Sequence, residues 1–121
     1  MKRAALAVLL IACSTAAGAT DLLWSYTPPA GHVDSSPALG DLDGDGVPEI
    51  VVGTTGGLVI AIDASGREVW RQDLRGVIHI PPTVADVRGD DAPEVLAVNK
   101  QGEVACLEGQ TGAPLWIARM P

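Results

Sequence analysis

The chain has 121 residues, room for one small domain. It is acidic, with 15 Asp+Glu against 8 Lys+Arg, which excludes the basic surface that nucleic-acid binding requires. Phe is absent and there are 14 Gly and 9 Pro; short apolar runs punctuated by Gly and Pro point to an all-β chain, and no run reaches the ~18 residues of a membrane helix.

Met1 to Ala19 reads as a signal peptide. Lys2 and Arg3 form a positive start, Ala4 to Ala12 an apolar stretch, and Ala17-Gly18-Ala19 a small-residue cleavage site. The mature chain is then expected to be exported, periplasmic or secreted, and to begin near Thr20. An alternative is a lipid anchor, since Leu10-Ile11-Ala12-Cys13 resembles a bacterial lipobox with Cys13 as the lipidated residue. Loss of Lys2 and Arg3 with the leader makes the chain more acidic still. Export also suits weak Ca²⁺ sites, which extracellular Ca²⁺ can fill.

From residue 20 to 121 the chain reads as one repeat region. Asp21 to Tyr26, carrying Trp24, looks like the last strand of a preceding unit. Ser36 to Gly40 is a short strand leading into the acidic stretch Asp41-Leu42-Asp43-Gly44-Asp45-Gly46-Val47-Pro48-Glu49. Glu49 to Gly53 is a buried run, and Thr54-Thr55-Gly56-Gly57 a hairpin turn. Leu58 to Asp63 returns, Ala64-Ser65-Gly66 turns, and Glu68 to Asp73 is the fourth strand, with Trp70. The pattern recurs from Thr83 to Ile117. Asp41, Asp45, Pro48, Glu49 and Gly57 fall on Asp86, Asp90, Pro93, Glu94 and Gly102, each 45 residues on. Trp24, Trp70 and Trp116 are 46 apart, so the turn before Trp116 is one residue longer. Repeat 1 spans about 27–73 and repeat 2 about 74–119. Four antiparallel strands per unit is the make-up of a propeller blade.

Asp41, Asp43 and Asp45 alternate along a tight loop, so their side chains can converge, and Gly44 and Gly46 permit the positive φ angles of such a curl. The Val47 carbonyl and the Glu49 carboxylate complete an oxygen set of the kind Ca²⁺ takes. The loop is not an EF-hand: its last acid comes at the ninth position and a strand follows. The other reading is a solvated acidic turn. In the second unit Asp86, Asp90 and Glu94 remain, but Arg88 replaces the second aspartate and Asp91 the second glycine. A guanidinium at a ligand position repels a cation, so this loop is the weaker metal candidate. Arg88 is expected to pair with Asp86, Asp90 or Glu94.

These stretches carry two resemblances. Ser35 to Thr54, SSPALGDLDGDGVPEIVVGT, resembles the FG-GAP/VCBS class of calcium-binding β-propeller repeats. Leu107 to Trp116, LEGQTGAPLW, resembles the tryptophan docking motif of pyrroloquinoline-quinone (PQQ)-like, quinoprotein-type propeller repeats. The first implies Asp41, Asp43, Asp45, Val47 and Glu49 as a Ca²⁺ site. The second implies that Trp24, Trp70 and Trp116 are structural, packing between neighbouring blades.

The fold expected is therefore all-β: two four-stranded antiparallel propeller blades plus one strand, an incomplete propeller. Propellers close with typically 4–8 blades. A longer protein, a ring of several copies, or two blades standing alone would each account for two. No catalytic residues are expected. His32 with Ser35 and Ser36, and His79 with Asp73, lack the three-part arrangement of nucleophilic catalysis. Cys106 reads as a buried small hydrophobe. The expected function is an exported, non-enzymatic module that binds Ca²⁺ and serves as a scaffold for a protein or glycan. The alternative is the N-terminal part of a PQQ-dependent dehydrogenase or another quinoprotein-like propeller, whose cofactor pocket two blades cannot build.

Overall fold

The computed structural model describes residues 21–121; the stretch read as a signal peptide, with Cys13, lies outside them. Among the described residues there are eight strands and no helix, so none is long and apolar enough to cross a membrane. β1 (Ala38–Gly40), β2 (Glu49–Gly53), β3 (Leu58–Ile62) and β4 (Glu68–Asp73) form one antiparallel sheet in that order. β5 (Thr83–Ala85), β6 (Glu94–Val98), β7 (Glu103–Glu108) and β8 (Pro114–Arg119) form the second. These are two propeller blades.

The strands follow from the apolar pattern. β2 and β3 are continuous apolar runs, EIVVG and LVIAI, and every residue of both is buried. Such a run, bounded by turn residues, reads as a strand covered on both faces. β4 alternates instead, and of its six residues only Trp70 is buried, as suits an outer strand with one wet face. The predicted start of β1 at Ser36 moves in to Ala38, and Asp63 belongs to the turn after β3 rather than to the strand.

One face of blade 1 packs on blade 2. Val51, Val59, Ala61 and Trp70 meet Val95, Ala97, Ala105 and Leu107, with Leu42, Leu74 and Ile78 closing the layer. The opposite face of blade 1, from Ile50, Val52, Leu58, Ile60 and Ile62, has Trp24, Tyr26 and Val33 packed against it. Both blades carry a register shift at the same repeat position, Ala61/Ile62 and Cys106/Leu107. Ile62 pairs with Glu68, whereas Leu107 pairs with Pro114. That places the extra residue of the second unit in the β7–β8 turn, as the tryptophan spacing requires.

The expected strand Asp21–Tyr26 is absent as an element. Only Tyr26 makes a bridge, because no described strand lies where a third strand of its blade would be. Trp24 still takes the position of an outer-strand tryptophan. Its Nε1 donates to the Ala64 carbonyl at 3.0 Å, and Trp70 Nε1 donates to the Gly109 carbonyl at 2.7 Å, 45 residues on from Ala64. Each indole lies against a glycine of the same turn. A Cβ on Gly66 would come within 2.6 Å of Trp24 Cδ2, and one on Gly112 would run into the Trp70 ring.

Candidate metal centre

The loop between β1 and β2 brings its acids to one point. One carboxylate oxygen from each of Asp41, Asp43, Asp45 and Glu49 lies within 4.8 Å of the others. The loop's own N–H groups hold them there. Asp41 Oδ1 accepts from Gly44 and Asp45 at 2.9 and 3.1 Å, and Asp41 Oδ2 from Gly46 at 2.8 Å. Asp43 Oδ1 accepts from Asp45 at 3.1 Å, and Asp45 Oδ1 from Val47 at 2.8 Å. Glu49, buried at the start of β2, accepts from Leu42 through Oε1 at 2.8 Å. Gly44 and Gly46 have φ of 79° and 86°, the left-handed backbone on which the curl depends.

Asp43, Asp45 and Glu49 thus each keep one carboxylate oxygen clear of these bonds, and every carboxylate oxygen has a second lone pair. Ca²⁺ binds oxygens at 2.3–2.6 Å, so ligands on opposite sides of one ion are about 4.6–5.2 Å apart. The observed spread fits that sphere. Val47, named as a backbone ligand, stands on the same loop with its side chain exposed.

The electrostatics of the cluster are divided. The Gly46 N–H draws Asp41 below the usual carboxylate range, against the effect of burial, with Gly44, Asp43 and Asp45 adding to the pull. For Asp43 the Asp45 N–H pulls downward, but burial and the Asp45 carboxylate outweigh it and the net shift is upward. Burial pushes Glu49 up; the Leu42 N–H opposes this, and the charges of Asp43, Asp45 and Asp41 reinforce it. A cation at the point of convergence would relieve the strain of like charge.

The second loop keeps the backbone and changes the centre. Asp86 accepts from Gly89, Asp90 and Asp91, and Asp90 from Ala92. Glu94 Oε1 accepts from Val87 at 2.9 Å and Arg88 at 3.3 Å. Gly89 has φ 73°, and Asp91, standing where the first loop has Gly46, keeps φ 65°. Oxygens of Asp86, Asp90 and Glu94 again lie within 4.8 Å of one another. Here, however, Arg88 Nε donates to Glu94 Oε2 at 2.8 Å, and its Nη2 lies 3.5 Å from Asp90 Oδ2. The guanidinium takes the oxygens left free in the first loop. Of the three partners expected for Arg88, the ion pairs are with Asp90 and Glu94. The bond to Glu94 raises the Arg88 pKa further.

Other residues considered for chemistry fall elsewhere. His79 Nδ1 lies 3.1 Å from Asp34 Oδ2, 45 residues away and not beside its sequence neighbour Asp73. His32 Nδ1 faces Thr55 Oγ1 at 3.4 Å. Cys106 is free and buried; burial first, then the Glu94 charge, push its thiol up against the pull of Arg88. Sequence reasoning missed two bonds that tie segments together: Tyr26 Oη to Glu68 at 2.6 Å, and Gln72 Nε2 to the Gly112 carbonyl at 3.0 Å. Neither leaves a signal in spacing.

A family model described as the λ-carrageenase β-propeller domain matches residues 49–119, more than half of the chain. The chain belongs to this β-propeller family. The match begins at Glu49 and takes in the second loop, while Asp41, Asp43 and Asp45 lie before it. No curated protein matches. Among solved structures the propeller resembles BamB from Moraxella catarrhalis, with a TM-score of 0.66 and 21% identity. That alignment covers 84% of this chain and 28% of the BamB chain; at this identity the likeness concerns the fold. What these comparisons support in both resemblances is the β-propeller repeat itself.

Proposed function

We propose that the chain is an exported, non-enzymatic propeller module that binds one Ca²⁺ through Asp41, Asp43, Asp45, Glu49 and the Val47 carbonyl. The metal stiffens a scaffold for a protein or glycan partner. The convergence of four carboxylates within 4.8 Å carries the reading. It supports the FG-GAP/VCBS-type assignment of this loop. The bound ion stabilises because the unfolded chain offers no such convergence. The λ-carrageenase name of the family favours a glycan over a protein as the partner class, through the propeller domain of a polysaccharide-degrading protein.

Calorimetric titration of the chelator-stripped chain with Ca²⁺ tests the metal reading. One ion per chain is expected at millimolar Ca²⁺ or tighter. Asp43→Ala is expected to lose that binding and to lower thermal stability in Ca²⁺ but hardly in chelator. Heat-silent titration together with an unchanged melting temperature would overturn it.

A further inference from the structure

A groove runs along the junction of the two blades, between the end of β4 with the link that follows it and the β6–β7 turn of blade 2. Asp73, Arg75, Gln101, Glu103 and Arg119 line it over an apolar bed that includes half-exposed Ile117. Its volume is about 330 Å³, and small-ligand clefts run from ~300 to ~1,000 Å³. A shallower hollow of about 590 Å³ adjoins it and shares Asp73, Arg75 and Gln101. Ile117 pairs with Ala105, which belongs to the layer between the blades, so the groove lies inside the blade pair and not on an outer face of it.

The floor of the groove is held by its own bonds. Buried Asn99 donates through Nδ2 to the Leu74 carbonyl at 3.2 Å and to Glu103 Oε1 at 2.9 Å, and Glu103 Oε2 accepts from Arg119 at 2.7 Å. Asp73 Oδ1 accepts from the Arg75 backbone N–H at 2.8 Å. Among the described residues, the Arg75 guanidinium and the Gln101 side-chain amide make no hydrogen bond or ion pair. The fold does not require them. The positions of Gln101 and Glu103 hold Gly56 and Leu58 in blade 1, 45 residues earlier, and Asp73 takes the strand position of Arg119. The link before blade 1 makes its left-handed turn at Gly31, with φ 75°, and the link before blade 2 at Arg75, with φ 60°, where an arginine is strained and a glycine is not. Gly56 lies directly on the Ala30 backbone, whereas the Gln101 amide lies on Gly76. The repeat therefore folds with small or apolar residues at these positions, and the polar set is an addition at the blade 1–blade 2 junction.

We propose that this groove binds a neutral oligosaccharide, with Arg75, Gln101 and Asp73 gripping neighbouring hydroxyls of a sugar ring and Ile117 under its C–H face. A sugar hydroxyl both donates and accepts. The guanidinium offers donors only, the carboxylate acceptors only and the amide both, so adjacent hydroxyls can be met in pairs, with charge-assisted bonds to the first two groups. The charges favour a neutral ligand. Two carboxylates, Asp73 and Glu103, offset two guanidiniums, Arg75 and Arg119, within a chain whose net charge of −7 repels polyanions. The ordered floor lowers the entropy lost on binding. The inference rests on the glycan reading of the partner and not on the metal.

NMR titration of the full chain in millimolar Ca²⁺ tests it, with neutral glucose, galactose and mannose oligosaccharides and, for comparison, a sulfated galactan. At least one neutral oligosaccharide is expected to shift the Arg75 Nε–H and Gln101 side-chain amide signals. Arg75→Gly removes the guanidinium and relieves the strain at its φ. Gln101→Gly copies the residue at the same place in blade 1. Each is expected to weaken that binding about tenfold or more. For Arg75→Gly the relieved strain offsets the added freedom of the unfolded chain, so the melting temperature should stay within ~3 °C of the wild type. Equal binding by wild type and both variants would overturn the groove and leave the glycan reading standing. Binding of the sulfated galactan alone would overturn the assignment of a neutral ligand. No shift with any oligosaccharide would remove the glycan reading and this inference with it, and leave the metal titration untouched.

Discussion

Replacing Glu49 by glutamine separates a metal-binding loop from a merely acidic one, because the two give opposite signs. The change keeps the shape and leaves an oxygen to accept the Leu42 N–H, now at 2.8 Å. It removes one charge from a cluster whose oxygens lie within 4.8 Å of one another. In chelator that charge is a liability, since burial and then the neighbouring aspartates push the Glu49 carboxyl upward. Two unit charges at this separation repel by about 0.9 kcal/mol in water and about 3.5 kcal/mol at an effective dielectric constant of 20. The open side of the loop screens the repulsion, so glutamine is expected to gain about 1 kcal/mol or less in chelator. In Ca²⁺ the balance reverses. A site of ~10⁻⁴–10⁻³ M affinity, the range of extracellular modules, stabilises the fold by about 1.4–2.7 kcal/mol at ~10 mM Ca²⁺. At ~4–8 °C per kcal/mol the wild-type melting temperature should rise by about 6–20 °C. For Glu49→Gln the rise should shrink to about 3 °C or less. Scanning calorimetry in EGTA and in Ca²⁺ reads both numbers. The variant should be the more stable protein in the first and the less stable in the second. A loss of equal size in both would refute the metal role and leave Glu49 a turn brace.

Three further outcomes follow from the same geometry. Arg88→Asp should convert the second loop into a metal site, raising the calorimetric Ca²⁺ stoichiometry from one to two per chain, and it should destabilise the chain in chelator because buried Glu94 loses its cation; unchanged stoichiometry would show that the loop lacks more than a ligand. Gly112→Ala forces a side chain into the Trp70 ring at φ 75°, and the left-handed strain alone costs about 1–2 kcal/mol, so thermal melts should fall by roughly 10 °C; a change under ~2 °C would mean that the indole is not wedged there. The Ser65 hydroxyl, then the Arg67 N–H, hold the Asp63 carboxyl below its ordinary value. Its contribution is therefore present above the unfolded pKa and is lost as pH falls through the lowered one. Acid melts should show Asp63→Asn less stable than the wild type at neutral pH, with the gap closing below about pH 4; a gap independent of pH would assign the loss to packing.

The fold was legible because each of its rules is local. β2 and β3 are apolar runs between turn glycines, and the acids Asp41, Asp45 and Glu49 recur as Asp86, Asp90 and Glu94, so blade boundaries and loop positions could be read by counting. The extra residue in the β7–β8 turn was likewise written into the tryptophan spacing. What could not be read was pairing across space. Asp34 and His79 meet although nothing in either neighbourhood marks them, and Tyr26 reaches Glu68 only because the chain before β1 lies over blade 1. The segment Asp21–Tyr26 shows the same limit. Its residues have strand character, but a strand exists only beside another, and propensity cannot supply the neighbour.

On the proposed Ca²⁺ reading, the two acidic loops differ in the cation that faces their carboxylates and not in their backbone. Both loops curl through positive φ at matching positions, even where Asp91 must adopt it without the freedom of glycine. Both gather their carboxylates within 4.8 Å. A gathering of like charge is eased by backbone N–H groups, as in both loops, and further by a nearby cation. In blade 2 that cation is covalently attached, since Arg88 bonds Glu94 and reaches Asp90. In blade 1 the same place holds Asp43, a further negative charge. The first loop has a carboxylate where the second has its tethered cation, the difference expected if, as proposed, a mobile cation fills that place. If so, the two blades should respond differently to chelation. Exchange of the backbone amides of Gly44, Asp45 and Gly46 should quicken when Ca²⁺ is withdrawn, while that of Gly89, Asp90 and Asp91 stays as it was. Equal quickening in both loops would show that the difference between Arg88 and Asp43 does not govern how each curl is held.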